Sequence, residues 1–304
     1  MNAIRLLRIS ASVAAALLLS AVNSMAADAG YAPAGTDLIV RVDGARISRG
    51  KVFAAIKAKP EFAKVEKDMR NVLAKYNLTL DDVLKTDICF FARTVKLGGE
   101  KPVFHLVARN PKISGDTALS WLDSERNGKL EKTQVDGKTA RVAAGKDGSV
   151  TMIALDKDLV QFSVNAEPCR ALVPRPKDKL AGFLNPKPAI CLVYKGSPAS
   201  YRVFAQLIPE IAPFLSVIDL AVVNLTDDGD LIRLDAELRG INLEQAQNLE
   251  GMLGMAILGG MMSCAKKSPE KAELLQRFRV VRNDTKVFVT FECPVEMLND
   301  ALLN

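Results

Sequence analysis

Lys51-Val52-Phe53-Ala54-Ala55-Ile56, followed by Pro60-Glu61-Phe62-Ala63, returns later in the chain as Arg202-Val203-Phe204-Ala205-Gln206-Leu207 and Pro209-Glu210-Ile211-Ala212. Each stretch reads as a helix that stops at a proline. Proline lacks the amide a helix interior needs but suits the first turn of a new one. Further echoes keep the same order: Asp87-Ile88-Cys89-Phe90-Phe91 against Asp219-Leu220-Ala221-Val222-Val223, and Arg109 against Arg239. Identities are few, but their order and rough spacing predict one α+β unit written twice.

Outward from these stretches the grammar is shared. The first copy reads as a strand over 37–42, a helix from Gly50 and a second helix after Pro60. Phe62, Val65, Met69, Val72, Leu73 and Tyr76 form one apolar stripe on that second helix. Thr79 and Asp82 make a capping-box pair. Strands follow over 87–93 and 103–109, then a helix capped by Ser114. The second copy reads as a strand over 189–194, a broken helix over 200–215, and strands over 217–225 and 232–239. Asn242 then caps a helix running towards Ala265. The copies differ at their ends. The first closes in a meander over 129–135, 138–143, 149–155 and 159–165, with turns at Asp136-Gly137, Asp147-Gly148 and Asp156-Lys157. The second closes in one hairpin turning at Asn283-Asp284, before a short helix opened by Pro294.

The β-α-β-β-α-β order resembles the ferredoxin-like split βαβ sandwich, a likeness of topology alone. It implies an α+β protein of two tandem ferredoxin-like modules with antiparallel sheets, over 36–167 and 189–304, the first extended by its meander. Such a fold hosts enzymes, binders and structural modules alike, so it assigns no activity.

Residues 1–26 read as an export signal: Arg5 and Arg8, an uncharged run over 9–22, and Ser24-Met25-Ala26 with small residues for cleavage. The apolar run is too short to span a bilayer, so the expectation is a periplasmic or extracellular protein with no transmembrane anchor after cleavage. A short N-terminal linker, 27–35, precedes the first module. Losing two arginines leaves 39 basic against 35 acidic side chains, a net +4.

That surplus is local. The linker over 168–188 holds five of the 14 prolines and carries Arg170, Arg175, Lys177, Lys179 and Lys187 against Asp178 alone. Proline keeps such a segment extended and out of sheets. A solvated linker is the plain reading; contact with an anionic envelope polymer or lipid, through Arg170, Arg175, Lys177 and Lys179, is the sharper one.

Composition limits the chemistry. A single His, His105, excludes multi-histidine metal centres, and nothing in the sequence forms a recognisable constellation with it, so a surface or inter-domain role is expected. Ser48-Arg49-Gly50-Lys51 matches the S-x-x-K of penicillin-binding serine enzymes, but the Lys-Thr-Gly element is missing and Ser48 reads as a helix N-cap. Asn224-Leu225-Thr226-Asp227-Asp228-Gly229-Asp230 is similar to half of an EF-hand loop, but it lacks flanking helices and the twelfth-position Glu, and reads as a hairpin turn. Few aromatics and no basic helix stripe argue against nucleic acid. Of the five cysteines, Cys89 and Cys191 fall in apolar strands, and one disulfide among Cys169, Cys264 and Cys293 stays open.

The most unusual segment is Gly251 to Cys264, 14 residues without a charge and with Met252, Met255, Met261 and Met262. Its plain reading is a helix buried closely between the sheet and the other half, with Gly254, Gly259 and Gly260 admitting neighbouring backbone. The alternatives are a partner-contact face or the wall of an apolar-ligand cavity. Together these features point to an exported, non-enzymatic binding or scaffold protein needing no cofactor, whose partner is an envelope protein or anionic polymer. The rivals are a hydrolase in an inter-module cleft using Ser48 or a carboxylate pair, and a carrier with a cavity beside Met255 and Met262.

Overall fold

The computed structural model describes residues 29–94, 102–125, 130–145, 148–166, 169–174, 179–207 and 209–302. The signal-like segment 1–26 lies outside these residues, as do Arg175 and Lys177 of the basic linker. The chain is mixed α+β and divides into two compact units. The first takes the described residues up to Ser48 and Ala63–Gly182; the second takes Arg49–Phe62 and Phe183–Asn304. Residues 49–62, read from sequence as part of the first module, thus belong to the second unit.

In chain order the elements of the first half are β1 (Leu38–Asp43), α1 (Gly44–Arg49), α2 (Lys51–Lys57), α3 (Pro60–Ala74), α4 (Leu80–Val83), β2 (Asp87–Arg93), β3 (Val103–Arg109), α5 (Gly115–Glu125), β4 (Glu131–Val135), β5 (Lys138–Gly145), β6 (Gly148–Asp156) and β7 (Leu159–Val164). The second half adds β8 (Ile190–Lys195), α6 (Pro198–Leu207), α7 (Ala212–Leu215), β9 (Ile218–Asp227), β10 (Leu231–Gly240), α8 (Leu243–Cys264), α9 (Pro269–Gln276), β11 (Arg279–Asn283), β12 (Lys286–Pro294) and α10 (Val295–Leu302).

In the first unit the strands run β1-β2-β3-β7-β6-β5-β4; in the second, β8-β9-β10-β12-β11. Within each unit all neighbours are antiparallel. The rule is the same in both: three strands in sequence, then the last strand of the half beside the third. It departs from the ferredoxin-like expectation. A split βαβ inserts another strand between the two that its first helix joins, whereas here β1 pairs directly with β2 and β8 with β9. The register shows why no crossover is needed. Asp43 faces Asp87, so the chain leaves and re-enters the sheet at one end, and α1 to α4 form an excursion from that end.

Local chemistry sets the boundaries. Thr79 Oγ1 accepts from the Asp82 amide while the Asp82 carboxylate accepts from the Thr79 amide, closing the capping box. Asp136 and Gly137 both hold positive φ, 51° and 76°, the geometry a tight two-residue hairpin demands. Gly196 allows the closest backbone approach: a Cβ there would stand 1.8 Å from the Ile218 carbonyl oxygen.

The second unit keeps one dry and one wet sheet face. Ile232, Phe291, Cys293 and Val295 build a core with Leu274 of α9 and Val52 of α2. On the opposite face Arg233 pairs with Glu292 at 2.7 Å and Lys286 with Glu237 at 2.7 Å. The first unit covers one face of its sheet with α5, through Leu119 against Met152 and Val160.

Candidate docking surface

α8 begins where Asn242 Oδ1 accepts from the Gln245 amide at 2.8 Å. Its first turns are seated tightly. Ala246 and Leu249 are fully buried, and a Cβ on Gly240 of β10 would meet the Ala246 amide nitrogen at 2.7 Å. Glu250 accepts from Arg282 Nε of β11 at 2.9 Å, and Gly260 lies against Leu275 of α9. One flank of the helix is therefore held by β10, β11 and α9.

The other flank is open. Met255, Leu258 and Met262 are 69 %, 56 % and 72 % exposed. With Gly251 they recur at intervals of four, three and four residues, which places them in one stripe along the helix. A Cβ added at Gly251, Gly254 or Gly259 would meet nothing within 4 Å. This corrects the expectation of close burial: only Gly260 of the glycines named for that role has a close neighbour. Apolar composition right round a helix does not say which side is covered, and here the sheet covers only one. Met252 and Met261 sit half-buried on the flanks of the stripe. Met255 and Met262 face the open surface, and neither is among the residues that line the pocket beside α5.

Beyond the C-terminal end of α8, Lys266, Lys267 and Lys271 are exposed, and Glu270 and Glu273 stand among them. In the linker Arg170 and Lys179 are exposed as expected. The backbone around Arg170 is pinned: Gln161 donates to the Arg170 carbonyl at 2.9 Å and accepts from the Leu172 amide at 2.7 Å. A buried glutamine thus pairs the start of the linker as a neighbouring strand would.

Gln161 belongs to a buried polar row that the sequence did not disclose. His105 Nδ1 lies 2.8 Å from Ser163 Oγ, and Gln161 Nε2 donates to the same hydroxyl at 2.8 Å. Thr151 faces Ser163 across β6 and β7. His105 is 7 % exposed, so the surface role expected for it is wrong. Burial, with the charge of Arg93, lowers its pKa to about 4. Burial also pushes the Cys169 thiol up. Burial thus disfavours at Cys169 the thiolate through which thiol chemistry runs. Gln161 and Ser163, alternating within β7, were the available signal, because period-2 patterning puts them on one face.

The other sequence candidates resolve simply. Ser48 lies inside α1 and its hydroxyl donates to the Ala45 carbonyl at 3.4 Å; Gly50 occupies the N-cap position of α2. Ser48 is therefore not the cap expected. The serine-enzyme pattern finds no support either, since Lys51 is bonded to Asp230 and lies 3.8 Å from Glu296. The Asp-rich loop is the β9–β10 hairpin, where Asp227 accepts from the Gly229 amide and Asp228 faces Arg233 at 3.8 Å. Among the described residues no group of three or more His, Cys, Asp or Glu could hold a metal ion. None of the five cysteines forms a disulfide, and Cys293 is buried within β12. No helix among the described residues is long and apolar enough to cross a membrane.

No family model matches the chain, and no curated protein does. Solved structures do. The chain is similar to crystal form III of TP0453, with a TM-score of 0.51 at 11% identity over 92% of this chain and 98% of that one. Crystal form I of the same protein gives a TM-score of 0.47 at 12% identity, over 92% and 97%. At such identity the likeness concerns the fold and carries no activity.

Proposed function

We propose that this chain is an exported, non-enzymatic binding protein of the cell envelope, built from a duplicated α+β unit, that docks by laying the apolar stripe of α8 on an anionic lipid surface. One observation carries the reading: three large apolar side chains of one helix stripe, Met255, Leu258 and Met262, are more than half exposed while the same helix is firmly seated on its other side. Contiguous exposed apolar surface marks a contact site in soluble proteins. An apolar helix face bounded by lysines is the pattern of a helix that lies in a bilayer interface, its cations at the headgroups. Lys266, Lys267 and Lys271 supply that bound, outnumbering Glu270 and Glu273. The exposed glycines keep the stripe low, letting a surface approach the backbone between the methionines. The reading of export rests on residues 1–26, and the reading of duplication on the strand order common to both units.

Flotation with phosphatidylglycerol-containing vesicles tests the docking. The wild-type chain should float, more weakly as salt rises, because headgroup attraction is screened. Met255→Glu with Met262→Glu should abolish flotation, and Lys266→Glu with Lys267→Glu should weaken it and flatten its salt dependence. Flotation unchanged in the double glutamate variant contradicts the proposal. Absence of flotation together with capture of one envelope protein through the same stripe replaces the lipid with a protein partner.

A further inference from the structure

We infer that the first unit holds a second, separate site: a pocket between α5 and the sheet that takes the end of a single alkyl chain. A cavity of about 50 Å³ opens there, lined by Leu106, Met152 and Phe162 from the strands and by Ala118, Trp121 and Leu122 from α5. Protein interiors rarely leave voids larger than a water molecule. This one has a definite origin. Leu73, Leu78, Val83 and Ile113 form one apolar cluster, and Leu119, Met152 and Val160 another; the small side chain of Ala118 packs at the edge of both. The gap opens between the two clusters.

α5 is tied down at both ends, so it does not settle into the gap. Its N-terminus is pinned: the Gly115 amide donates to the Lys157 carbonyl at 3.0 Å, and a Cβ on Gly115 would stand 2.7 Å from Ala154 Cβ. The following turn is tied as well, by Arg141 Nε donating to Asp123 at 2.7 Å and by the Tyr76 hydroxyl donating to the Ser120 carbonyl at 3.4 Å, yet Trp121 and Leu122 remain half-exposed. The polar groups at the pocket wall have partners already. Thr86 Oγ1 donates to the Val83 carbonyl and accepts from Asn110, whose own Oδ1 accepts from the Lys112 and Ile113 amides. Asp158 is held by Arg109 at 3.1 and 3.2 Å. With the side chains of Thr86, Asn110 and Asp158 already bonded and the rest of the wall apolar apart from the Trp121 indole N–H, the pocket favours a chain without polar atoms at its inserted end. A fatty acid or a membrane lipid presents such an end.

Trp121 is the sole tryptophan of the chain, so its emission reports this pocket directly. The probes are 12-bromododecanoate, whose bromine quenches on contact, and vesicles of brominated phosphatidylcholine. The expected result is saturable quenching of Trp121, reversed by unlabelled dodecanoate. Quenching by the monomeric probe identifies a free fatty acid as ligand, and quenching by vesicles alone identifies a bilayer lipid. Ala118→Phe fills the gap and should weaken binding at least roughly tenfold, with Ala118→Leu as the milder variant if the first does not fold. Met255→Glu with Met262→Glu should leave quenching by the monomeric probe intact, which separates this site from the α8 surface. Absence of saturable quenching with both probes, quenching that survives in the filled variants, or loss of monomer quenching with the α8 pair overturns the inference.

Discussion

As pH falls below the ordinary histidine range, the unfolded chain takes up a proton at His105 that the native chain does not accept until about pH 4. Above about pH 6.5 both states are neutral and the residue costs nothing; between there and pH 4 the native state loses up to about 3 kcal/mol. Urea midpoints measured across that window should fall for the wild type, and His105→Gln should flatten that part of the curve. Asp82 acts lower. Lys112 and Thr79 hold its pKa down to about 2, so its contribution is present above the usual carboxylate range and lost as pH falls from there towards 2. Two glycines predict opposite outcomes. Gly196→Ala drives a methyl into the Ile218 carbonyl and should cost about 1–3 kcal/mol. Gly254→Ala meets nothing and should stabilise α8 by about 1 kcal/mol, while impairing vesicle binding if the bare backbone is part of the contact. Thermal unfolding of the two variants checks both signs.

At the scale of elements, caps and hairpins were the most legible features. Asn242, Thr79 with Asp82, and Asp136-Gly137 each act as their residue types require, because these signals depend on chain neighbours alone. Asn242→Ala should accordingly lose about 1 kcal/mol, read from the shift in unfolding midpoint. Ser268-Pro269 is an equally plain helix start, but the chain around it lacks a strong apolar period, so periodicity does not reveal α9. α1 went unseen for a similar reason: its six residues carry no periodic signal. The packing of α8 was misjudged for a different cause. Periodicity finds the face that can be buried, and in a helix apolar on every side it cannot choose between two faces.

For the molecule as a whole, sequence order told which strands exist but not which are neighbours. The β-α-β-β-α-β reading suits a split βαβ and a meander equally until the Asp43–Asp87 register is known. Residues 49–62 joining the second unit was equally hidden, because assignment to a unit is decided by contacts far along the chain, such as Val52 against the Ile232 and Phe291 core. The buried polar row around His105 was hidden for the same reason: its partners lie tens of residues away on β7. What survives at this scale is a pair of like-ordered sheets, one of which carries a seated helix with an uncovered apolar stripe. Hydrogen exchange of the full chain with and without phosphatidylglycerol vesicles tests that reading most directly. The account predicts that new protection is concentrated in residues 251–264; protection elsewhere with that segment unchanged contradicts it.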